Sequence, residues 1–232
     1  MNRGFDLTRD VETLETRSNE ILSDRKADDI IQNFLCTFDA IEEKFKLISS
    51  LDKERQANII NDIYRSQIVF AMSSLDFYVH EIVRYGILSI FKGERERTLS
   101  YETFAVNLRC VEQALKNLES VDWLDEWITL KHKASTFMDP SKIQGAFSLI
   151  TKKNVFDLVA KQFTLQGSNF NKDSLKAKIL EIYKRRNSIS HQSDRNEQTG
   201  ELNNIEEDFV RDAIHIIKQF VIYSHNIIVA DI

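Results

Sequence analysis

Apolar residues recur along most of the chain at the three- and four-residue spacing of an α-helix. Few stretches alternate apolar and polar residues in the way that a half-buried strand does. Only one proline and six glycines occur among the 232 residues, so helix interiors contain few breakers. The pattern predicts an all-α protein.

The first part of the chain carries three predicted helices. Amphipathic helices over residues 7–24 and 28–48 are expected to pair as an N-terminal hairpin, spanning residues 1–50 and packed on the core. A long helix is predicted from an N-cap at Asp52 to about Phe91. Its centre is apolar on all sides, which indicates burial.

Residues 51–232 form the predicted main domain, with an insertion of shorter helices at residues 93–170. Within the insertion, the pair Asp139-Pro140 predicts a helix start. The last helix is predicted to begin at a capping box of Asn204 and Glu207. Its apolar face belongs in the core or in a dimer interface.

One helix, predicted over residues 173–191, carries a charge within its apolar stripe. The stripe consists of Leu175, Ile179, Ile182 and Ile189. Arg186 lies in its middle, whereas Arg185 is predicted to face solvent. An unpaired guanidinium in an apolar seam costs several kcal/mol. We therefore expect a buried carboxylate, a group of carbonyls or a wet anion-binding cleft beside Arg186.

His191 follows Arg186 by five residues, about 140° around a straight helix. The two side chains reach one substrate only if the helix ends or bends near Ser190, or if a second copy faces the first across a two-fold axis. A homodimer is therefore part of the hypothesis. The alternative is that the pair belongs to a solvated helix end, and Asp194-Arg195 is interpreted as a solvated salt bridge in the following loop.

The segment RRNSISHQSDR, with its polar loop and apolar final helix, resembles the HEPN domain through its Arg-Asn-x3-His motif. The stretch AMSSLDFY at residues 71–78 is similar to the opening long helix of the RiboL-PSP-like branch of that family. The resemblance does not extend to residues 1–50 and 93–170. It implies an antiparallel helical bundle that dimerises with its motifs facing each other.

The resemblance also implies a metal-independent endoribonuclease of prokaryotic defence or toxin systems. The catalytic positions of the motif carry over to Arg186 and His191, and a supporting or phosphate-binding role is assigned to Asn187 and Ser190. Expected partners are RNA, a second copy of the chain and an antitoxin or regulatory protein. Since some members lack activity, the alternative is a catalytically silent module that binds RNA or a partner protein as a scaffold or regulator.

The chemistry of RNA agrees with this hypothesis, because RNA carries its own nucleophile in the 2′-hydroxyl. Histidine can transfer the protons, and arginine can stabilise the charged phosphate. Asp76 and Glu81 are predicted to line the cleft opposite Arg186 and to neutralise it, or else to belong to an exposed network of charged side chains along the long helix.

Composition adds further constraints. The net charge of −5 does not favour a nucleic-acid binder, and the one dense basic cluster lies on the motif helix. The sequence lacks a P-loop, an HExxH motif and paired Cys-x2-Cys motifs, so no metal or cofactor is expected. Cys36 and Cys110 are predicted to be buried thiols in a reducing cytoplasm. Neither a signal peptide nor a membrane span is predicted.

Overall fold

The computed structural model describes residues 26–117, 120–196 and 198–230, and the regular secondary structure of this part of the chain is helical, apart from one isolated bridge between Arg195 and Leu202. The predicted all-α class is confirmed. The described helices are α1 (Ala27–Ser49), α2 (Ala57–Phe91), α3 (Leu99–Glu102), α4 (Leu108–Lys116), α5 (Asp122–Lys133), α6 (Pro140–Ser148), α7 (Val155–Leu165), α8 (Lys172–Gln192) and α9 (Glu207–Val229). None of them is both long and apolar enough to span a membrane.

Helix α2 is the centre of the fold, and α1, α8 and α9 all pack against it. Its side chains are buried around most of its circumference, as its continuous apolar pattern predicts. The predicted end near Phe91 is confirmed, but the predicted start is wrong. Asp52 Oδ1 accepts hydrogen bonds from the backbone N–H groups of Glu54 and Arg55, so it caps a preceding turn, and the helix begins only at Ala57.

Helix α1 confirms the helix predicted over residues 28–48. It is held on α2 by aromatic packing between Phe34 and Tyr78, whose ring centroids are 5.8 Å apart. The other predicted helix of the hairpin, at residues 7–24, lies outside the described residues. Cys110 is buried as predicted, whereas Cys36 is exposed on the outer side of α1.

The predicted insertion contains α3 to α7, and α5 lies along the C-terminal half of α2. Phe91 and Trp123 pack edge to face at 5.4 Å, and Arg84 donates to both carboxylate oxygens of Asp125. The predicted start of α6 is confirmed, because Asp139 is the N-cap and accepts from the backbone N–H of Ser141 at 2.8 Å.

The predicted capping box of the last helix is wrong. The N-cap of α9 is Glu206, without a side-chain cap, and Asn204 donates from its amide to the Glu206 carboxylate. The predicted apolar face is nevertheless buried, with Phe220 and Val221 fully shielded from solvent.

Helix packing at Gly86 of α2 generates a stability prediction. A Cβ atom at this position would lie 2.6 Å from Cγ2 and 2.7 Å from Cβ of Ile150, closer than real contacts allow. We expect Gly86→Ala to lower the free energy of unfolding by about 1–3 kcal/mol, because α2 and the Ile150 side chain must move apart. Urea denaturation followed by circular dichroism measures the change.

The matched control is Gly145→Ala in α6, where nothing lies within 4 Å of the added Cβ. Alanine is the better helix former, so this variant should gain about 0.5–1 kcal/mol. Equal effects of the two substitutions would contradict the close packing at Gly86.

Candidate functional site

Helix α8 presents the predicted motif. Its N-terminus is capped by Asn171, whose Oδ1 accepts from the backbone N–H groups of Asp173 and Ser174 at 2.9 and 2.8 Å. The Ser174 hydroxyl completes a capping box by accepting from the Asn171 N–H. The predicted stripe is buried at Leu175, Ile179 and Ile182. These capping bonds therefore fix the residue at which helix α8 begins.

Arg186 lies on that stripe and is half-buried. Its Nε is shielded from solvent without a hydrogen-bond partner, and its Nη1 donates to Asn187 Oδ1 at 3.1 Å. Within the described part of the chain, Arg186 forms no ion pair with a carboxylate. A partly exposed guanidinium whose charge is not neutralised is suited to bind an anion such as phosphate.

The two carboxylates proposed to oppose Arg186 are engaged elsewhere. Asp76 Oδ1 accepts from Thr136 Oγ1 at 3.3 Å and from the backbone N–H of Phe137, which fixes the loop between α5 and α6. Glu81 lies 3.5 Å from Nη1 of Arg84. Neither carboxylate neutralises Arg186, and both are half-buried beside the insertion rather than part of an exposed network.

His191 and Ser190 are exposed in the last turn of α8. The helix continues through Gln192, so it neither ends nor is interrupted between Arg186 and His191. On this continuous helix the two side chains point about 140° apart and are separated by about 7.5 Å along the axis. One copy of α8 therefore does not bring Arg186 and His191 to the same point.

The helix ends in a left-handed turn at Ser193 and Asp194, with φ values of 51° and 54°. The Asp194 N–H donates back to the Ser188 carbonyl at 2.9 Å, which closes the last turn. The Asp194 side chain is fully buried and accepts from Arg65 Nε at 2.7 Å and from Arg185 Nη2 at 2.8 Å. One carboxylate thus joins α8 to α2.

This cluster of Arg65, Asp194 and Arg185 corrects two sequence predictions. Arg185 does not face solvent, and Asp194 pairs with these two arginines rather than in a solvated bridge with Arg195. Burial lowers the pKa of Arg185, and the nearby Arg65 adds to the shift while Asp194 opposes it. The sequence signal that could have indicated this cluster is Arg65 on the buried side of α2, because a buried arginine requires an anion as its partner.

The same arginines fix the loop that precedes α9. Arg65 Nη2 donates to the Asn203 carbonyl at 2.8 Å, and Arg185 Nη2 donates to the Asn204 carbonyl at 2.7 Å. The backbone of Asn203 also bonds to the Asp194 carbonyl at 2.8 Å. The loop beside His191 is therefore held by groups from α2 and α8 together.

The predicted basic cluster on α8 is largely used within the fold. Lys178 pairs with Glu181 at 3.1 Å and with Asp212 at 3.0 Å, Lys176 donates to Gln144, and Arg185 binds Asp194. Of the cations between residues 176 and 186, Arg186 and the exposed Lys184 take part in none of these ion pairs and hydrogen bonds. Phosphate binding on α8 would therefore depend chiefly on Arg186.

No protein-family model, curated protein or solved structure matches the chain. Within the ranges that the structure describes, no group of three or more histidine, cysteine, aspartate or glutamate side chains is placed to hold a metal ion. What α8 offers chemically is a half-buried guanidinium, an amide bonded to it and an imidazole near the helix end.

Two histidines lie under the loop that Asp76 fixes. The ring centroids of His80 and His132 are 5.2 Å apart, and Phe137 packs on His80 at 4.5 Å. Burial lowers the pKa of His132 to about 4, and the nearby His80, Lys131 and Arg84 contribute further. Burial also lowers the pKa of His80, although Asp76 opposes that shift.

Asp194→Asn tests the buried cluster, because asparagine tolerates the left-handed backbone but removes the charge. We expect a loss of about 3–5 kcal/mol in the free energy of unfolding, since two arginines lose their shared anion. Asp62→Asn is the matched control, because it removes a 76% exposed carboxylate that lies 3.4 Å from the same Arg65. It should cost less than about 0.5 kcal/mol, and equal losses in urea denaturation would contradict the account.

The lowered pKa of His132 predicts a pH dependence of stability. In the unfolded chain His132 has its ordinary pKa of 6.5, whereas in the folded chain its pKa is about 4. Between these two pH values the unfolded chain binds a proton that the folded chain does not, so the free energy of unfolding decreases as the pH falls. Each such proton contributes about 1.4 kcal/mol per pH unit. When the pH falls from about 7 to about 5, the free energy of unfolding of His132→Gln should therefore decrease by about 1–2 kcal/mol less than that of the wild type. Equal losses in urea titrations would refute this.

Proposed function

We propose that the protein is a metal-independent endoribonuclease whose site is shared by two copies of the chain. The observation that carries the proposal is Arg186, a half-buried guanidinium that is bonded to Asn187 and forms no ion pair with a described carboxylate. Such a group stabilises the negative charge that develops on a phosphate during strand cleavage. The resemblance of the Arg-Asn-x3-His motif to the HEPN domain supports the same function.

In the proposed reaction the 2′-hydroxyl attacks the adjacent phosphorus and the bond to the 5′-oxygen breaks. One histidine removes the proton from the 2′-hydroxyl, and a second donates a proton to the leaving 5′-oxygen. The products are a 2′,3′-cyclic phosphate and a free 5′-hydroxyl. The Asn187 side chain accepts a hydrogen bond from Arg186 and so orients the guanidinium. Ser190 lies next to His191 in the chain and provides a further hydrogen-bond donor for the phosphate.

The continuous helix α8 supports a composite site. Since Arg186 and His191 diverge on one copy, a phosphate can meet both only where two copies of α8 approach each other. Two-fold symmetry would also supply the second histidine that acid–base catalysis needs.

The resemblance to the HEPN domain also supports the proposed setting. We place the enzyme in the cytoplasm, within a prokaryotic toxin or antiviral defence system. An antitoxin or regulatory protein is the expected additional partner, and no cofactor takes part in the proposed reaction.

A second candidate is a catalytically silent module of the same kind that binds RNA or a partner protein. The observation in its favour is the charge distribution, because Lys178 and Arg185 are used in internal ion pairs and the chain has a net charge of −5. A surface with little positive charge suits a protein partner better than an RNA backbone.

Cleavage of a mixed RNA pool in EDTA tests the proposal. The wild type should leave 2′,3′-cyclic phosphate ends, and Arg186→Ala and His191→Ala should each reduce the rate by about 10²–10⁴-fold, since each removes a group that acts in the transition state. Lys184→Ala is the matched control, because Lys184 is an exposed cation on the same helix and should leave the rate within about twofold.

Circular dichroism must show that the variants fold. A folded wild type that is as inert as Arg186→Ala and His191→Ala would favour the silent module. A rate that falls equally in Lys184→Ala would show that general charge, and not the motif, is responsible.

A further inference from the structure

Helix α2 has one face that no other described helix covers. On this face lie Ser66, Phe70, Ser73 and Phe77, at spacings of four, three and four residues. Phe70 and Phe77 are 46% and 49% exposed, and Ile59, two turns before Ser66, is 53% exposed. A row of half-exposed apolar residues on one helix face indicates a surface that packs against another part of a protein.

Helix α1 forms a wall beside this face. Lys44 of α1 lies over the Phe70 ring, with its Nζ 4.0 Å from the ring centroid. The exposed residues Ala40 and Thr37 lie on the same side of α1, one and two turns before Lys44. Beyond Phe77 the face ends, because α5 and the loop that follows it pack on α2. We call the depression between the Lys44 side of α1 and the exposed face of α2 the α1–α2 groove.

The direction of α1 determines which part of the chain can reach this groove. Phe34 packs on Tyr78 with 5.8 Å between the ring centroids, and Phe45 packs on Tyr64 at 6.1 Å, so α1 and α2 run antiparallel. The helix predicted over residues 7–24 lies outside the described residues, and only residues 25 and 26 separate it from α1. A connection this short favours an antiparallel hairpin, in which the predicted helix, about 27 Å long, runs beside α1.

The apolar residues of this segment match the groove. Leu7, Val11 and Leu14 recur at the same spacing of four and three residues as the exposed face of α2. If residue 24 lies beside residue 27, the three side chains are level with about residues 66, 70 and 73 of α2. The two leucines then face the serines of the groove, and Ser18 faces Phe77. This alternation of large and small side chains is typical of well-packed helices.

The charge of the segment also suits the groove. Residues 7–24 contain five carboxylates and two arginines, and the rim of the groove carries Lys44. In the same register Leu7 is level with Lys44, so Asp10 lies about one turn from this lysine along the neighbouring helix. Charge and apolar pattern therefore favour the same register.

We propose that residues 7–24 form a helix that occupies the α1–α2 groove of the same chain, with Val11 against Phe70 and Ser18 against Phe77. Because two residues join the segment to α1, its effective concentration at the groove far exceeds that of a separate molecule. The segment therefore covers the apolar face of α2 that the described helices leave exposed.

Disulfide trapping in the full chain tests the proposal. In a Cys36→Ser background, which removes the exposed native thiol, Leu14→Cys combined with Ser73→Cys places two thiols at facing positions. Mild oxidation should join them within one chain, at least about tenfold faster than in the matched control Thr16→Cys with Ser73→Cys. Thr16 points about 200° away from Leu14 on the predicted helix. Electrophoresis without reductant and peptide mass spectrometry identify the product.

Labelling of the Ser73→Cys thiol by a maleimide, in the same Cys36→Ser background, gives a second readout. Leu14→Glu should raise the labelling rate by about tenfold, because a carboxylate is costly to bury in the apolar groove. Thr16→Glu is the matched control and should leave the rate within about twofold, because it adds the same charge on the solvent side of the predicted helix.

Equal cross-linking of the two cysteine pairs, or labelling that Leu14→Glu does not change, would overturn the proposal. Cross-links that join two chains and disappear on dilution would also overturn it and would assign the groove to a second copy. None of these outcomes depends on RNA cleavage.

Discussion

The buried carboxylate of Asp194 fixes where the motif helix ends. It lies between Arg65 of α2 and Arg185 of α8, and the same two arginines bind the carbonyls of Asn203 and Asn204. Removing one partner of such a cluster leaves a buried charge uncompensated, which strongly destabilises the folded state. The last turn of α8, the following loop and the start of α9 are thereby held against the central helix.

This constraint determines what the motif can do. Because α8 is anchored at its end and remains helical through Gln192, Arg186 and His191 stay on different faces of one helix. Arg185 neutralises Asp194, whereas Arg186 has only the Asn187 amide as its described partner. Two adjacent arginines therefore have different roles, one in stability and one available to an anion, and the proposed chemistry requires a second copy of the helix.

Some features that depend on neighbouring residues were predictable from the sequence, although the predicted N-caps at Asp52 and Asn204 were wrong. The buried stripe of α8 and the start of α6 at Asp139 follow from local periodicity and capping, and both predictions are confirmed. The interpretation of Asp194 as part of a solvated loop salt bridge was wrong, because its partner Arg65 lies 129 residues away in the sequence. For the same reason Arg185 was interpreted as a surface residue, because helical periodicity does not show that a loop carboxylate folds back onto that side of the helix.

Mixed dimers of the Arg186→Ala and His191→Ala chains test the shared site most directly. We predict that the mixture cleaves RNA faster than either variant alone, because a mixed dimer keeps one Arg186 and one His191 on different chains and lacks only one of the two proton-transferring histidines. We also predict that wild type mixed with the double variant gains no activity beyond its wild-type dimers. An inactive mixture of the single variants, together with active dimers of wild type and double variant, would show that one chain suffices and would contradict the account.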